Sequence, residues 1–484
     1  MSRIAAYRNT FLLIASMCAF GTFAQDASDL LKQASEAMGA TNLKSIRYAA
    51  EGTGYTFGQA YKPGMPWPKI TIHSQTRTID YESGSMRDEI TISRAEPLGG
   101  GGYPPVARQK NDEFISGTYA WNVTPAGTAP GPRFVTDRIH QLWITPHGAI
   151  KAAIRNVATL KKGGKAAKAV TFTEAGRFTA VVFFNADLLV ERIESRIPDP
   201  VLGETTAVTQ YANYRDVGGV KFPGTIRQIY GGFPVLELTV GEVTANAPAE
   251  IQVPDAVRVA SEKVVADKVA DGVWFMGGGS HNSVAIAMKD YMVVVEAPLN
   301  DGRSLPVIEQ ARQLAAGKPL RYLINSHQHF DHAGGVRTAV AEGMTIVTQE
   351  GNQAFYAKAL ATPNTIDPDH LAKSRAKPKF LTVRDKAVIA DGPRTIEIHR
   401  IKGSPHSDTF LMVYLPLEKL LIEADAYTPL PPNATPPTPP NPNNVNLIEN
   451  IERLKLAVER ILPLHGRVAP VADLYAAAGR APPK

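Results

Sequence analysis

Six consecutive residues, His327-Gln-His329-Phe-Asp331-His332, gather three imidazoles and a carboxylate. They follow Leu320-Arg-Tyr-Leu-Ile-Asn-Ser326, which reads as a strand, and precede a segment that turns helical near Ala333. Residues two apart on an extended chain point to the same side, so His327 and His329 can converge on one ion. Asp331 and His332 sit where the chain turns into the helix and can face a second ion. Imidazole and carboxylate together ligate zinc, and also iron or manganese. Thiolate chemistry is excluded beyond the N-terminus, because the one cysteine of the chain is Cys18. Disulfides, Cys-ligated zinc, iron–sulfur clusters and a Cys nucleophile fall away with it.

The elements that must position these groups come in two rhythms. From about Ser45 to Ala245 short alternating runs such as KITIHSQTRTIDYE predict half-buried antiparallel strands. A helical pair, Phe134–Trp143 and His147–Thr159, interrupts them, and a helix over 29–40 precedes them. The four glycines within Leu98–Pro105 lack the ending of a phosphate loop and read as a turn. Periodicity stops across Asn246–Asp255, where two prolines appear, so the domain boundary is placed there. Beyond it strands alternate with helices: YMVVVEAPL, Arg303–Ala316, LRYLINS, Val336–Ala341, TIVTQ, Asn352–Leu360, then KFLTV, TIEIHRI, TFLMVYLP and KLLIEAD. Apolar spacing predicts a last helix over Val445–Ile461, and the proline-rich Pro429–Asn444 before it reads as a stiff extended loop.

On these residues the C-terminal part, roughly 260–484, resembles the metallo-β-lactamase-fold hydrolase superfamily. Three further family ligands have counterparts in order: His406 in Gly-Ser-Pro-His-Ser-Asp408, Asp425 at the end of KLLIEAD, and His465 in Leu-Pro-Leu-His-Gly466. The resemblance implies an α+β chain: a C-terminal αββα sandwich (259–484) behind a β-rich, antiparallel, half-barrel-like N-terminal domain (25–250). It implies two divalent metal ions, zinc first among the candidates. One would take His327, His329 and His406, the other Asp331, His332 and His465, with Asp425 bridging them. A metal-bridging hydroxide would then attack an ester-like bond in a small-molecule substrate, and Asp331 would shuttle a proton. Lactones, carboxylic esters and thioesters are the leading class, since Asp425 resembles the lactonase, thioesterase and alkylsulfatase branches. A β-lactamase or an alkylsulfatase of the same fold is the rival within enzymes. A binding module with a vestigial metal domain is the rival outside them, and iron-based oxidation is a third reading.

Two more residues are candidates for the reaction. His281, in Gly-Gly-Gly-Ser-His-Asn282, is placed at the site mouth as a substrate contact, and Tyr427 as a donor to a developing oxyanion. Glu296 reads as a supporting or turn residue rather than a ligand. His73, His140, His147, His370 and His399 read as surface or structural residues. Arg3 and Arg8 followed by the apolar run Phe11–Phe20 and Thr22-Phe-Ala24 read as a signal peptide, residues 1–24, cleaved after Ala24. The mature chain is therefore expected to be exported, periplasmic or secreted, with no membrane span. With 44% apolar and 20% charged residues and a net charge of +6, composition is globular, and no clustered basic run suggests nucleic acid as partner.

Overall fold

A computed structural model describes residues 27–95, 107–161, 168–431 and 434–481. The expected signal peptide with Cys18 and the glycine-rich turn at 98–105 lie outside the described residues. Among those described, no helix is long and apolar enough to cross a membrane.

Among the described residues the N-terminal part has one antiparallel sheet of 13 strands, running from Gly127–Pro130 at one edge to Thr159–Leu160 at the other, and a separate pair, Arg215–Val217 with Val220–Phe222. Its first and last long strands, Ser45–Tyr55 and Phe233–Ala245, pair side by side in the middle, Ile46 opposite Ala245. The helices Val135–Trp143 and Pro146–Arg155 lie in sequence between the two edge strands, so the chain crosses the sheet from one edge to the other. Leu142, Ala149 and Ile150 pack there in one core with Tyr48, Phe172, Val182 and Ile193. The sheet thus curls around helices, as a half-barrel does. The second helix is shorter than expected: it ends at Arg155, Val157 turns left-handed with φ 48°, and Thr159–Leu160 joins the sheet.

Two sheets form the C-terminal part. Seven strands run from Val265–Ala270 to Lys379–Val383, the last four parallel; six run from Lys386–Asp391 to Ala469–Pro470. In the buried strand Met292–Val295 successive residues serve different cores. Val293 and Val295 face the second sheet's Ile396 and Leu421, while Met292 and Val294 face Val307, Ile308 and Val340 of helices. Burial on both faces explains the unbroken apolar run there. Helix Pro442–Leu454 covers the second sheet with Leu447, Ile448 and Ile451. The layers are helix, sheet, sheet, helix.

That last helix corrects two expectations. It begins inside the proline-rich stretch, because Asn441 caps it and Pro442 occupies its first turn, where a missing N–H is harmless. It ends at Leu454, where Lys455 is left-handed with φ 55°, and Ile461 belongs instead to a strand parallel to Leu420–Glu423. Helical spacing continued past the point where the backbone stops.

Backbone and side-chain bonds of Glu204 tie the two parts together. Glu204 N donates to Pro363 O at 3.1 Å, and Thr365 N donates to Glu204 Oε2 at 3.0 Å.

Two of the expected structural histidines are fully enclosed in the N-terminal core. Burial lowers His140 to about 3 and His147 to about 4, from 6.5. The folded chain therefore refuses protons that the unfolded chain accepts. Their contribution is intact above about pH 6.5 and lost as pH falls toward 4, about 2 kcal/mol for each at pH 5. Urea unfolding at pH 7.5 and pH 5 should show this fall in the native protein and a shallower one in H140Q/H147Q. Equal pH slopes would contradict it.

Candidate metal centre

The ligand candidates meet at one edge of the sandwich because each follows a strand. His327 and His329 leave Leu320–Ile324, and the short helix Phe330–Ala333 carries Asp331 and His332. His406 lies in the turn between Arg394–Arg400 and Leu411–Leu415, Asp425 after Leu420–Glu423, and His465 after Arg460–Pro463. All seven sequence candidates converge.

Asp425 is the hub. Its Oδ2 stands 2.8 Å from His332 Nε2 and 3.3 Å from Nε2 of both His327 and His406; its Oδ1 stands 3.1 Å from His465 Nε2. The Nε2 atoms of His327 and His406 are 3.1 Å apart, as are those of His332 and His465. Two nitrogens on one tetrahedral zinc stand about 3.3 Å apart at Zn–N distances of about 2.0–2.1 Å. His329 Nδ1 and Asp425 Oδ2 are buried without a hydrogen-bond partner. Ligand atoms of His327, His329 and His406 lie within 4.8 Å of one another, as do those of His327, His332 and Asp425, and those of His281, Asp331, His332 and His465. The donor set and the orphaned atoms fit divalent cations.

Charge follows the same pattern. Burial, then neighbouring imidazoles, holds His327 far below its usual range, and burial lowers His329 to about 3. Both rings stay neutral, as ligands must. Burial opposes ionisation of Asp331 and Asp425, yet His332 beside them outweighs it and keeps both well below the carboxylate range. The same two carboxylates hold His332 far above 6.5 against its burial. The centre therefore demands positive charge.

Supporting groups set which nitrogen each ring presents. His465 Nδ1 donates to Ser280 O at 3.2 Å, leaving Nε2 for the centre. Glu296, fully buried, accepts from Ser326 Oγ at 2.5 Å and lies 3.3 Å from His332 Nδ1; Ser326 Oγ is in turn 3.0 Å from His327 Nδ1. One carboxylate thus braces two rings, from a left-handed backbone with φ 67°. Sequence reading had Glu296 as support, without these partners. It missed Glu423, whose Oε2 accepts from the amides of Ala426 and Tyr427 at 3.0 Å and shapes the turn holding Asp425. It also missed Gln59 and Ala60, hundreds of residues away in the chain: Gln59 Nε2 is 2.8 Å from Asp331 Oδ1, and Ala60 O is 3.0 Å from His329 Nε2.

The two remaining candidates part ways. His281 is 5% exposed, with Nε2 3.2 Å from Asp331 Oδ2 and its ring 4.3 Å from that of His465. It stands inside the cluster rather than at a mouth. Tyr427 is 2% exposed in the sandwich core, where burial pushes its hydroxyl up to about 12. The expected oxyanion donor is a packed side chain here.

Residues 276–465 match the profile of the family described as the metallo-beta-lactamase superfamily. That segment holds all seven ligand candidates, from His327 to His465. Among solved structures, the DIM-1 metallo-beta-lactamase exposed to ceftazidime is 18% identical, with 46% of this chain and 97% of that one covered at a TM-score of 0.35. The mono-zinc form of the FIM-1 metallo-beta-lactamase from Pseudomonas aeruginosa is 17% identical, with 45% and 95% covered at 0.35. The stereoselective inverting sec-alkylsulfatase Pisa1 from Pseudomonas sp. is 14% identical, with 43% and 39% covered at 0.31. No curated protein matches the chain.

If the centre holds cations, stripping them should unfold the protein more easily. A ligand at a hundredfold excess over its Kd stabilises the fold by about 2.7 kcal/mol. A chelator should therefore lower Tm and zinc restore it, whereas D425N should show neither response. Calorimetry with and without EDTA decides.

Proposed function

We propose that this chain is a metal-dependent hydrolase of ester-like bonds, built around two divalent ions, zinc first among the candidates. The observation that carries it is Asp425, whose carboxylate is ringed by four imidazole Nε2 atoms at 2.8–3.3 Å. His327, His329 and His406 would hold one ion, Asp331, His332 and His465 the other, and Asp425 would touch both. Bound there, the ions would supply Lewis acidity and lower the pKa of water toward neutrality. The chain's own residues do the rest. Asp331 is gripped at both oxygens, by Gln59 at Oδ1 and by His281 at Oδ2. Its carboxylate is thus aimed and ionised, able to take a proton as water is consumed and return it to the leaving oxygen or sulfur. His281, neutral because burial lowers it to about 4, holds that carboxylate without a competing charge. Export rests on the composition of residues 1–24, and the N-terminal residue of the protein purified from its native cells tests it.

The test is a panel of lactones, carboxylic esters, thioesters, a sulfate ester and a β-lactam, with metal content measured on the same sample. About two zinc ions per chain and turnover of one ester-like class are expected. D331N should lower kcat by about 10²–10⁴, while Y427F should leave kcat/KM within about twofold, as a packed ring implies. Bound zinc with turnover of the β-lactam or sulfate ester alone would move the chain to those branches. No turnover of any substrate would leave a metal-binding module and end the hydrolase reading.

A further inference from the structure

The loop 56–68 joins the strands Ser45–Tyr55 and Lys69–Asp80 of the N-terminal sheet and reaches the metal centre. Four successive residues of it bond to ligand-bearing segments. Gly58 O accepts from Phe330 N at 3.2 Å. Gln59 Nε2 donates to Asp331 Oδ1 at 2.8 Å. Ala60 O accepts from Gln328 Nε2 at 2.7 Å and faces His329 Nε2 at 3.0 Å. Tyr61 O accepts from Asp408 N at 2.9 Å, and its hydroxyl donates to Ser404 O at 3.1 Å, either side of His406.

We infer that Gly58–Tyr61 is a working part of the metal centre: Ala60 fixes the tautomer of His329, and Gln59 orients Asp331. The inference rests on the metal-centre reading above and adds to it a contribution from the other domain. Its chemistry is simple. A carbonyl only accepts, so the single N–H of neutral His329 must sit on Nε2. The lone pair is then on Nδ1, the atom that is buried and has no partner within the protein. The other tautomer would set a lone pair against a carbonyl and a proton against the cation. Gln59 complements His281: an amide on one oxygen and an imidazole on the other fix the plane of the Asp331 carboxylate. Both partners are neutral, so the full negative charge remains for the ion. Partners of this kind are worth about 10- to 100-fold in metal affinity.

The loop is built to hold its place. Its neck is closed by Thr56 N donating to Pro68 O at 2.9 Å. Phe57 and Trp67 meet the Phe330 ring edge-on at 5.3 and 5.6 Å, so the residue between His329 and Asp331 is gripped from the other domain. Gly58 has φ 83°, and a Cβ there would lie 2.6 Å from Phe330 Cγ. Only glycine lets the backbone pass this close.

Two full-length variants test the inference: Q59L, which keeps the bulk and removes the amide, and G58V, which must push Phe330 and the Ala60 carbonyl away. Zinc affinity is read by competition with a chromophoric chelator, and coordination by the visible spectrum of the cobalt(II)-loaded protein. Q59L should weaken the ion held by Asp331 by about 10-fold or more and spare the other. G58V should weaken both ions and change the cobalt spectrum; if it does not fold, Q59L alone decides. Native-like affinities and spectrum in the folded variants, beside a native protein that binds two ions, would overturn this inference alone. A native protein that takes up no ion would overturn the metal-centre reading and this one with it.

Discussion

A half-buried carboxylate with one enclosed oxygen, facing four imidazoles, is unstable as neutral chemistry. Enclosing Asp425 Oδ2 away from water is costly unless positive charge answers it. In the protein alone that answer is a proton, since Asp425 and Asp331 force His332 far above the usual imidazole range. A divalent cation answers better, because it satisfies the carboxylates and uses lone pairs of rings that burial keeps neutral. The architecture around this point follows from the need to hold negative charge and neutral nitrogen within about 3 Å of each other.

Holding them there takes unusual backbone. Glu296 adopts φ 67° and Leu299 φ 69°, conformations that side chains other than glycine rarely accept. At Glu296 the strain is offset by hydrogen bonds to its buried carboxylate, which receives Asn325 Nδ2 at 2.9 Å and Ser326 Oγ at 2.5 Å. Asn325 is tied further to the Tyr356 hydroxyl at 2.5 Å. Ligand, brace and second brace thus lie in one buried network, which restricts how far any ring can turn. On the far side Asn282 does the same for His465, donating to Pro463 O and Gly466 O at 3.2 and 2.8 Å.

What was legible in the sequence divides by range. His327 to His332 could be read because strand and turn geometry place neighbours in sequence on one side of the chain. His406, Asp425 and His465 carry no local pattern strong enough to stand alone, and were reached through resemblance to a family that orders them. The C-terminal layers could be read because a doubly buried strand must be apolar throughout. The end of helix Pro442–Leu454 could not, because Val458 and Ile461 keep helical spacing while serving a strand and its surroundings. Tyr427 was misplaced for a related reason: two residues beyond a ligand says nothing of direction once the chain turns, and Glu423 turns it. Gln59 and Ala60 left no signal, since a backbone carbonyl has no residue type and a loop glutamine has no period.

The contacts of Gln59 and Ala60 give the two parts a reason to share a chain. A metal-binding sandwich presents its ligand edge to whatever lies there, and water is the default. Here the default is replaced by Gly58–Tyr61, while the second clamp, Glu204 with Thr365, ties the domains elsewhere along their boundary. Two separate attachments leave the half-barrel no hinge about either one alone. A domain hung on as a passive neighbour would need only the clamp. The loop instead spends its polar groups on His329, the Asp331 carboxylate and the segments that flank His406. Its aromatic rings grip the one apolar residue between the first two, Phe330. That distribution is what holding the candidate centre in place requires and what simple adhesion does not.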